Sequence, residues 1–525
     1  MFWNPLKMVF SFIGGGMLKS DYDVVIVGSG LGGLAAAVIL AKEGKRVCVL
    51  EKNNQFGGNL QTFSRSKKIF DTGVHYIGGL SKGQNLYRYF SYLGIMDKLH
   101  LEQMPEVFDY VGFGDDDVEY PLAQGYDSFI EQLCVFFPNE SAALEQYVSD
   151  LQRVCEAFPL YNLTEPEDVS YQHPFSGLSV YAYFEKLTSD VTLRAVLAGA
   201  NFLYAGDSRR TPFYLHALTV NSYIQSSYRC VNGGSQISKQ LVRQLRNLGG
   251  VALRHQEVVQ YHSRDGRIYK VETKAGEQYR ADLFISNVEP QTTLKQVDNA
   301  LFRSVYVDRI QHLPLTVSSF SAHFVLKEGV VPYVGSNLYY HRDKQGMWNL
   351  PAYEQEQWPE MYMLSMTEDK NAPGYADTLT CLSVMQFEEV RPWSLSKNTV
   401  VEVCDRGKDY DAFKDSRINR ILDKLEVRWP ALRESVLAVH ASTPLSYRDY
   451  IGTSEGNLYG PEKDVNYEMQ TKISPRTKIP NLFFVGQSVG MHGVLGVTIG
   501  AVATCMEVLG GGFYLLAKIK AVTDE

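Results

Sequence analysis

The stretch Asp23-Val-Val-Ile-Val-Gly28-Ser-Gly30-Leu-Gly-Gly33, with Glu51 closing the next apolar run, constrains the fold of this chain more than any other feature. It reads as strand, glycine turn, helix, strand and acid. Val24 to Val27 form a short β-branched run typical of a buried parallel strand. Gly28 permits a tight turn, Gly30 lets backbone approach a pyrophosphate, and Gly33 lets the helix pack close to the strand. The helix N-terminus then offers N–H groups and a positive dipole end to phosphates. Glu51 stands where a ribose-binding carboxylate is expected, about 20 residues past the glycines. The pattern predicts a Rossmann-type dinucleotide-binding unit.

At 525 residues the chain is long enough for two or more domains with sizeable cores. A net charge of −8 argues against nucleic acid as a partner. The 7 cysteines include no C-x-x-C pair and are odd in number, which argues against a disulfide framework or a zinc site and fits a reducing, cytoplasmic setting. No metal-ligand spacing, nucleophile elbow or P-loop is present. Residues 1–16 precede the first strand and look foreign to it. Phe2-Trp3 and Met8 to Ile13 are apolar but too short to span a bilayer, and they lack a cleavage site. They are expected to be either an over-long start or a weak membrane-contacting leader. No other stretch reaches transmembrane length, so any membrane contact is expected to be peripheral.

The helix from Leu31 to Glu43 is rich in Ala and Leu and ends at Gly44, a good C-cap. Arg46 to Leu50 reads as the second strand. From Gln84 to Tyr228 the pattern is largely helical and aromatic. Val251 to Tyr261 and Ile268 to Thr273 read as strands, with Arg264-Asp-Gly266 as a hairpin turn. Ala281 to Asn287 is a further buried strand. Ile479 to Gln487 runs from a strand into the Gly490–Gly496 loop and a last helix. Nucleotide-binding pieces therefore sit at both ends and in the middle. The expected division is a discontinuous cofactor domain over 17–90, 225–300 and 470–525, with a substrate region over 91–224 and 301–469.

This arrangement resembles the FAD-dependent phytoene desaturase, carotenoid isomerase and retinol saturase superfamily over nearly the whole chain, with the retinol saturase branch the most similar. The likeness rests on Phe70-Asp-Thr-Gly-Val-His-Tyr-Ile-Gly78, His216-Ala-Leu-Thr-Val-Asn-Ser-Tyr223, Gly233-Gly-Ser, Thr443-Pro-Leu-Ser-Tyr, Tyr459-Gly460 and Gly486-Gln487. It implies an α/β fold: an FAD-binding Rossmann-type domain of the glutathione-reductase and amine-oxidase kind, with an inserted α+β substrate domain. It implies FAD on Gly28, Ser29, Gly30, Leu31, Gly32, Gly33, Glu51 and Lys52, with Gly57, Gly58 and Asn59 continuing that wall. Val258 would meet the adenine through its backbone, and Asn287 is a further expected cofactor-binding residue. Gly486, Gln487, Gly493 and Val494 would cover the ribityl chain and isoalloxazine. Two departures stand out. Gln487 replaces a frequent Asp, although its carbonyl oxygen can accept the same hydrogen bond. The run Arg229-Cys-Val-Asn-Gly233 lacks the proline usual in desaturases.

The resemblance implies an FAD-dependent oxidoreductase acting on C=C bonds of an apolar polyene. Saturation is the leading direction, with desaturation and cis–trans isomerisation as alternatives, and a non-catalytic flavin- or lipid-binding protein as a rival class. Only one dinucleotide loop is evident, so the electron donor would be transient NAD(P)H, a partner protein or a quinone-linked donor. Reducing an isolated double bond needs a hydride at one carbon and a proton at its neighbour, so a placed acid is expected. His75, Tyr76 and His492 are the candidates, with His216 behind them. For each, the plainer alternative is a hydrogen-bonded structural residue. The aromatic runs Tyr87 to Tyr92 and Tyr333 to Tyr340 are candidate tunnel walls, and otherwise ordinary core. Tyr181-Ala-Tyr-Phe184 is either a membrane-dipping segment or a packed helix, the packed helix being favoured.

Overall fold

The computed structural model describes residues 18–164, 175–511 and 513–522. The expectation for residues 1–16 falls outside them. Two seven-stranded sheets organise the chain. The first takes its strands from Leu18–Val27, Val47–Leu50, Val251–Leu253, Val258–Arg264, Arg267–Thr273, Gln278–Ser286 and Leu482–Phe484. Leu18–Val27 lies at its centre, parallel to Val47–Leu50 on one side and to Gln278–Ser286 on the other. Leu482–Phe484 adds in parallel beyond Gln278–Ser286. An antiparallel hairpin closes one edge, with Arg264 paired to Arg267 across Asp265-Gly266.

The central strand is buried on both faces, as its continuous apolar run requires. Val24 and Ile26 pack on one side among the helices Leu31–Lys42 and Gly493–Val508, while Val25 and Val27 pack on the other against Phe284 and Phe484. In Leu31–Lys42 every residue but Lys42 is buried. The helix ends where Gly44 takes a φ of +78°. The carboxyl ends of the parallel strands thus open on one rim, where α/β sheets place their ligands.

The second sheet runs through Val436–Ser442, Ser318–Leu326, Ala376–Met385, Met361–Glu368, Asn337–His341, Val107–Phe113 and Asp116–Ala123 in that order. Its pairs are antiparallel except Asn337–His341 with Val107–Phe113. One face carries Phe320, Phe324, Leu338 and Tyr362 into a core with Ile421 and Leu425 of the helix Lys408–Leu425. The other face sends Tyr339, Met363 and Leu382 toward the helical segments and the first sheet.

The stretch expected to be largely helical, Gln84 to Tyr228, therefore contains strands at Leu101–Gln103, Val107–Phe113 and Asp116–Ala123. The last two form a hairpin across Gly114-Asp115. Their stability comes from the distant strand Asn337–His341, which local sequence does not reveal. Tyr181 lies in a packed helix, Val180–Leu187, whose Tyr183 and Phe184 are buried. Tyr181 itself meets Trp348 edge-on with ring centres 4.9 Å apart. Among the described residues, no helix is long and apolar enough to cross a membrane.

Candidate functional site

The glycine turn closes the central strand tightly. Gly28 N–H donates to Leu50 O at 2.8 Å, and Gly30 bridges in parallel to Gly57. Asn287, just past the neighbouring strand, lies under the turn and accepts Gly33 N–H on Oδ1 at 3.0 Å. A Cβ on Gly30 would come within 2.6 Å of Asn287 Nδ2, one on Gly33 within 2.4 Å of Gly28 O, and one on Gly32 within 3.0 Å of Gly486. Leu34 N–H donates to Gly30 O. The amides of Leu31 and Gly32 have no protein acceptor among the described residues, and a phosphate at the helix start would take them.

Glu51 is buried at 6% exposure. Its Oε2 accepts Ser29 N–H at 3.0 Å and the Ser29 hydroxyl, and its Oε1 accepts Asn53 N–H at 2.9 Å. The carboxylate is thus fixed at the cleft wall with lone pairs left over for ribose hydroxyls. Lys52 lies beside it, its ammonium pKa lowered chiefly by burial. Asn59 Nδ2 donates to Gln487 Oε1 at 3.1 Å, so the Gln487 carbonyl expected to meet a ribityl hydroxyl already accepts one bond. Val258 lines the cleft, its carbonyl accepting from Gln296 Nε2 at 3.0 Å. Gly493 opens the helix Gly493–Val508, and Val494 follows on the cleft wall. These groups fit a flavin dinucleotide: an anion-accepting helix end, a buried ribose carboxylate, and glycines where side chains would collide.

Glu289 was not singled out from the sequence. It is 8% exposed and lines the same cleft. Its two oxygens accept Ser454 N–H at 2.9 Å, the Ser454 hydroxyl at 2.5 Å and Asn457 Nδ2 at 2.8 Å. It ties down the loop leading to Leu458 and Tyr459, which line the cleft as well. The only signal was an acid two residues past Asn287.

Beyond the nucleotide cradle the cleft continues between the two sheets. Its walls there include Tyr76, Phe202, Leu218, Tyr223, Met363 and Tyr459. His75 lines it, and its Nε2 is buried without a hydrogen-bond partner. Burial, then the Arg229 charge, brings its pKa down to about 4. His492 lines the cleft too. Its Nε2 pairs with Leu203 O at 3.0 Å and its ring stacks on Tyr459 at 4.4 Å. Burial brings it, too, down to about 4. The Tyr76 hydroxyl donates to Asp109 Oδ2 at 2.8 Å and lies 2.7 Å from the Tyr339 hydroxyl.

His216 does not join them. It is 1% exposed, with Nε2 at 2.8 Å from the Tyr147 hydroxyl and Nδ1 at 3.3 Å from that of Tyr204. This is a core histidine. Of Tyr333 to Tyr340 only Tyr339 reaches the cleft. Strand alternation turns Tyr340 to the other face, where it stacks on Tyr362 at 4.7 Å. The helix Asn85–Tyr92 is core rather than tunnel wall: Tyr89 is buried and donates to Leu160 O.

The buried histidines make stability depend on pH. His75, His216, His323, His341 and His492 are all held by burial below the ordinary 6.5. Their contribution is full above pH 6.5 and falls as pH drops toward their folded values, about 4 for His75, His341 and His492 and about 3 for His216 and His323. Asp71 and Asp109, raised by burial from 3.8 to about 7, act with opposite sign: their contribution is full below 3.8 and lost as pH rises through 7. The histidines are more numerous. The urea midpoint is expected to fall between pH 6.5 and 4, and His216→Gln is expected to flatten that fall.

A family described as flavin-containing amine oxidoreductase matches residues 31–508. The all-trans-retinol 13,14-reductase of Danio rerio is 26% identical, the match covering 94% of this chain and 86% of that protein. A chloroplastic prolycopene isomerase 2 of an Oncidium hybrid cultivar is 24% identical, over 93% of this chain and 84% of its own length. Among solved structures, an oxidoreductase from Methanosarcina mazei superposes with a TM-score of 0.63 at 16% identity, covering 93% of this chain and 100% of that one.

Proposed function

The chain belongs to the flavin-containing amine oxidoreductase family and is an FAD-dependent oxidoreductase; on that premise we propose that it acts on a C=C bond of an apolar polyene, retinoid or carotenoid-like, and saturates it. The carrying observation is the cleft itself. It runs from the glycine cradle into a chamber walled by Phe202, Leu215, Leu218, Met363 and Leu382 and by the tyrosines 76, 223, 339 and 459. Such walls suit a long, flat, apolar ligand. The similarity to retinol 13,14-reductases and prolycopene isomerases supports the same substrate class.

Bound FAD would supply the hydride chemistry at its N5. The chain's own residues do the rest. Gly28 to Gly33 and the helix start at Leu31 take the pyrophosphate, Glu51 the ribose, and Gln487, Gly493 and Val494 the ribityl and ring end. Asn287 holds the turn in shape and Glu289 holds the loop leading to Leu458 and Tyr459. His75 and His492 are neutral at physiological pH, because burial opposes their charge. We assign them to orienting ligand and flavin rather than to donating a proton. The proposed division of labour follows the sheets: the first carries cofactor, the second floors the substrate chamber. For the electron donor we propose transient NAD(P)H, and for substrate entry peripheral contact with a lipid surface.

The substrate class is testable by binding. All-trans-retinol added to the oxidised, yellow protein is expected to perturb the flavin absorbance at micromolar concentrations. A primary amine of similar size should not. An amine that perturbs the spectrum while retinol does not would overturn the polyene reading. The prolycopene isomerase relative favours one second outcome, an altered double-bond geometry with no change in product mass.

A further inference from the structure

Reduction of a C=C bond needs a proton as well as a hydride, and the two cleft histidines are poor sources of it. A buried acid stands one hydrogen bond behind the cleft wall. Asp109, on Val107–Phe113, is fully buried. Its Oδ1 accepts Asn337 Nδ2 at 2.8 Å and its Oδ2 accepts the Tyr76 hydroxyl at 2.8 Å. Tyr76 and Tyr339 lie hydroxyl to hydroxyl at 2.7 Å, and both line the cleft.

We propose that Asp109, Tyr76 and Tyr339 form a proton relay, emerging in the cleft at Tyr339, that supplies the proton for saturation of the polyene; this rests on the reading of the chamber as a polyene site. Donor counting gives the relay its direction. Each tyrosine has one proton. With Asp109 ionised, Tyr76 donates to Asp109, so Tyr339 must donate inward to Tyr76. With Asp109 protonated, the carboxyl donates to Tyr76, Tyr76 turns its proton to the Tyr339 oxygen, and the Tyr339 proton is released to the cleft. Protonation of a residue that never touches the ligand is thereby read out as a donor facing it.

The step balances. The π bond breaks. One carbon receives a hydride from the reduced flavin, which is oxidised, and its neighbour receives the Tyr339 proton. Tyr339 takes the proton of Tyr76, Tyr76 takes that of Asp109, and the chain returns to its ionised arrangement. Asp109 is then recharged from solvent. The groups facing Asp109 fit this use. Tyr76 and Tyr223 approach from the cleft side, their rings 4.4 Å apart, and Tyr339 and Asn337 sit on the neighbouring strand. Arg229, from Ser227–Cys230, donates to Asn337 Oδ1 at 2.9 Å and does not pair directly with the carboxylate. Burial pushes the Asp109 carboxyl up to about 7, against the pull of Asn337, Tyr76 and the Arg229 charge. That value leaves a usable fraction protonated near neutrality.

In this relay Asp109 is a positioning residue and proton store, and Tyr339 is the group that touches substrate. The test uses full-length, FAD-loaded protein and the variants Asp109→Asn and Tyr339→Phe. In the resting wild type, infrared carboxylic acid C=O absorption titrating near pH 7 is expected from both Asp109 and Asp71; D109N should remove one component of it and leave the other, and Y339F should keep both. In anaerobic mixing of reduced protein with all-trans-retinol, wild-type flavin reoxidation is expected to slow about tenfold per pH unit above that point. D109N should lose this dependence, and both variants should be slower by roughly 100-fold, the usual worth of a placed general acid. Should D109N not fold, Y339F, which removes one hydroxyl, carries the kinetic arm. A titrating absorption that D109N leaves unchanged, or variants that keep the wild-type rate and pH profile, would overturn the relay alone. A wild type that saturates no polyene would overturn the substrate reading, and the relay's target with it.

Discussion

Replacing Gly33 with valine is expected to give protein that purifies without flavin and melts well below the parent. A Cβ at this position would lie 2.4 Å from Gly28 O and 3.1 Å from Asn287 Cβ. The first of these atoms is backbone in a turn where Gly28 already holds a φ of +95°. Neither neighbour is the free end of a flexible chain, so the helix must move off the strand. Overpacking of this kind costs about 1–3 kcal/mol, and here it also displaces the amides of Leu31 and Gly32 from the pyrophosphate. Gly500→Ala is the matched control. Its Cβ would meet only Val489 O at 3.4 Å, and flavin loading should survive. The ratio of flavin to protein absorbance, with a thermal melt, reads both effects.

Removal of the Asp449 carboxylate is expected to cost about 3–5 kcal/mol, the range for breaking a buried ion pair from one side. Asp449 and Arg406 are 1% and 6% exposed and form a salt bridge. Asp449 also accepts from Arg448 Nε at 2.8 Å and from Asn398 N–H at 2.8 Å. Asp449→Ala would leave one buried guanidinium, a second partly buried one and a backbone amide short of an acceptor. The consequence reaches the cleft. Tyr447–Ile451 leads directly into Gly452 and Thr453, which line it. Tyr450 O accepts Asn53 Nδ2 at 2.8 Å, beside Glu51. A lower urea midpoint should therefore come with weaker flavin retention. A variant as stable as the parent would show that this cluster does not hold the turn.

The parts of the fold legible in sequence are those written locally. The glycine turn, the buried strand before it and the acid after it occupy fewer than 30 consecutive residues, and each piece has its own steric reason. The Arg264–Arg267 hairpin was likewise visible, because a two-residue Asp-Gly turn is nearly self-sufficient. The Val107–Ala123 hairpin carries a similar Gly114-Asp115 turn between β-type residues such as Val107, Phe108, Tyr110 and Val111, a local signal that the reading of a long helical and aromatic stretch passed over. Its parallel pairing with Asn337–His341 spans more than 200 residues of chain, and nothing nearby predicts it.

The site divides the same way. Cofactor residues follow from backbone requirements, and glycine announces those. Asp109 and Glu289 do not announce themselves. In sequence each is an ordinary acid, one beside Tyr110 and one before Pro290, and acids are mostly exposed. Burial and partners brought from Asn337, Ser454 and Asn457 give them their roles. His216 errs in the other direction. It sits within a motif carried by the family resemblance, yet the core around Tyr147 and Tyr204 occupies both of its nitrogens.

The most direct test of the central claim is anaerobic. The FAD-loaded protein is reduced, all-trans-retinol is added, and flavin absorbance is followed together with product mass. The account predicts that the flavin reoxidises as retinol is consumed, one equivalent for one, and that the product has gained two hydrogens. Flavin that stays reduced beside unchanged retinol, or a product that has changed shape without gaining mass, would contradict it.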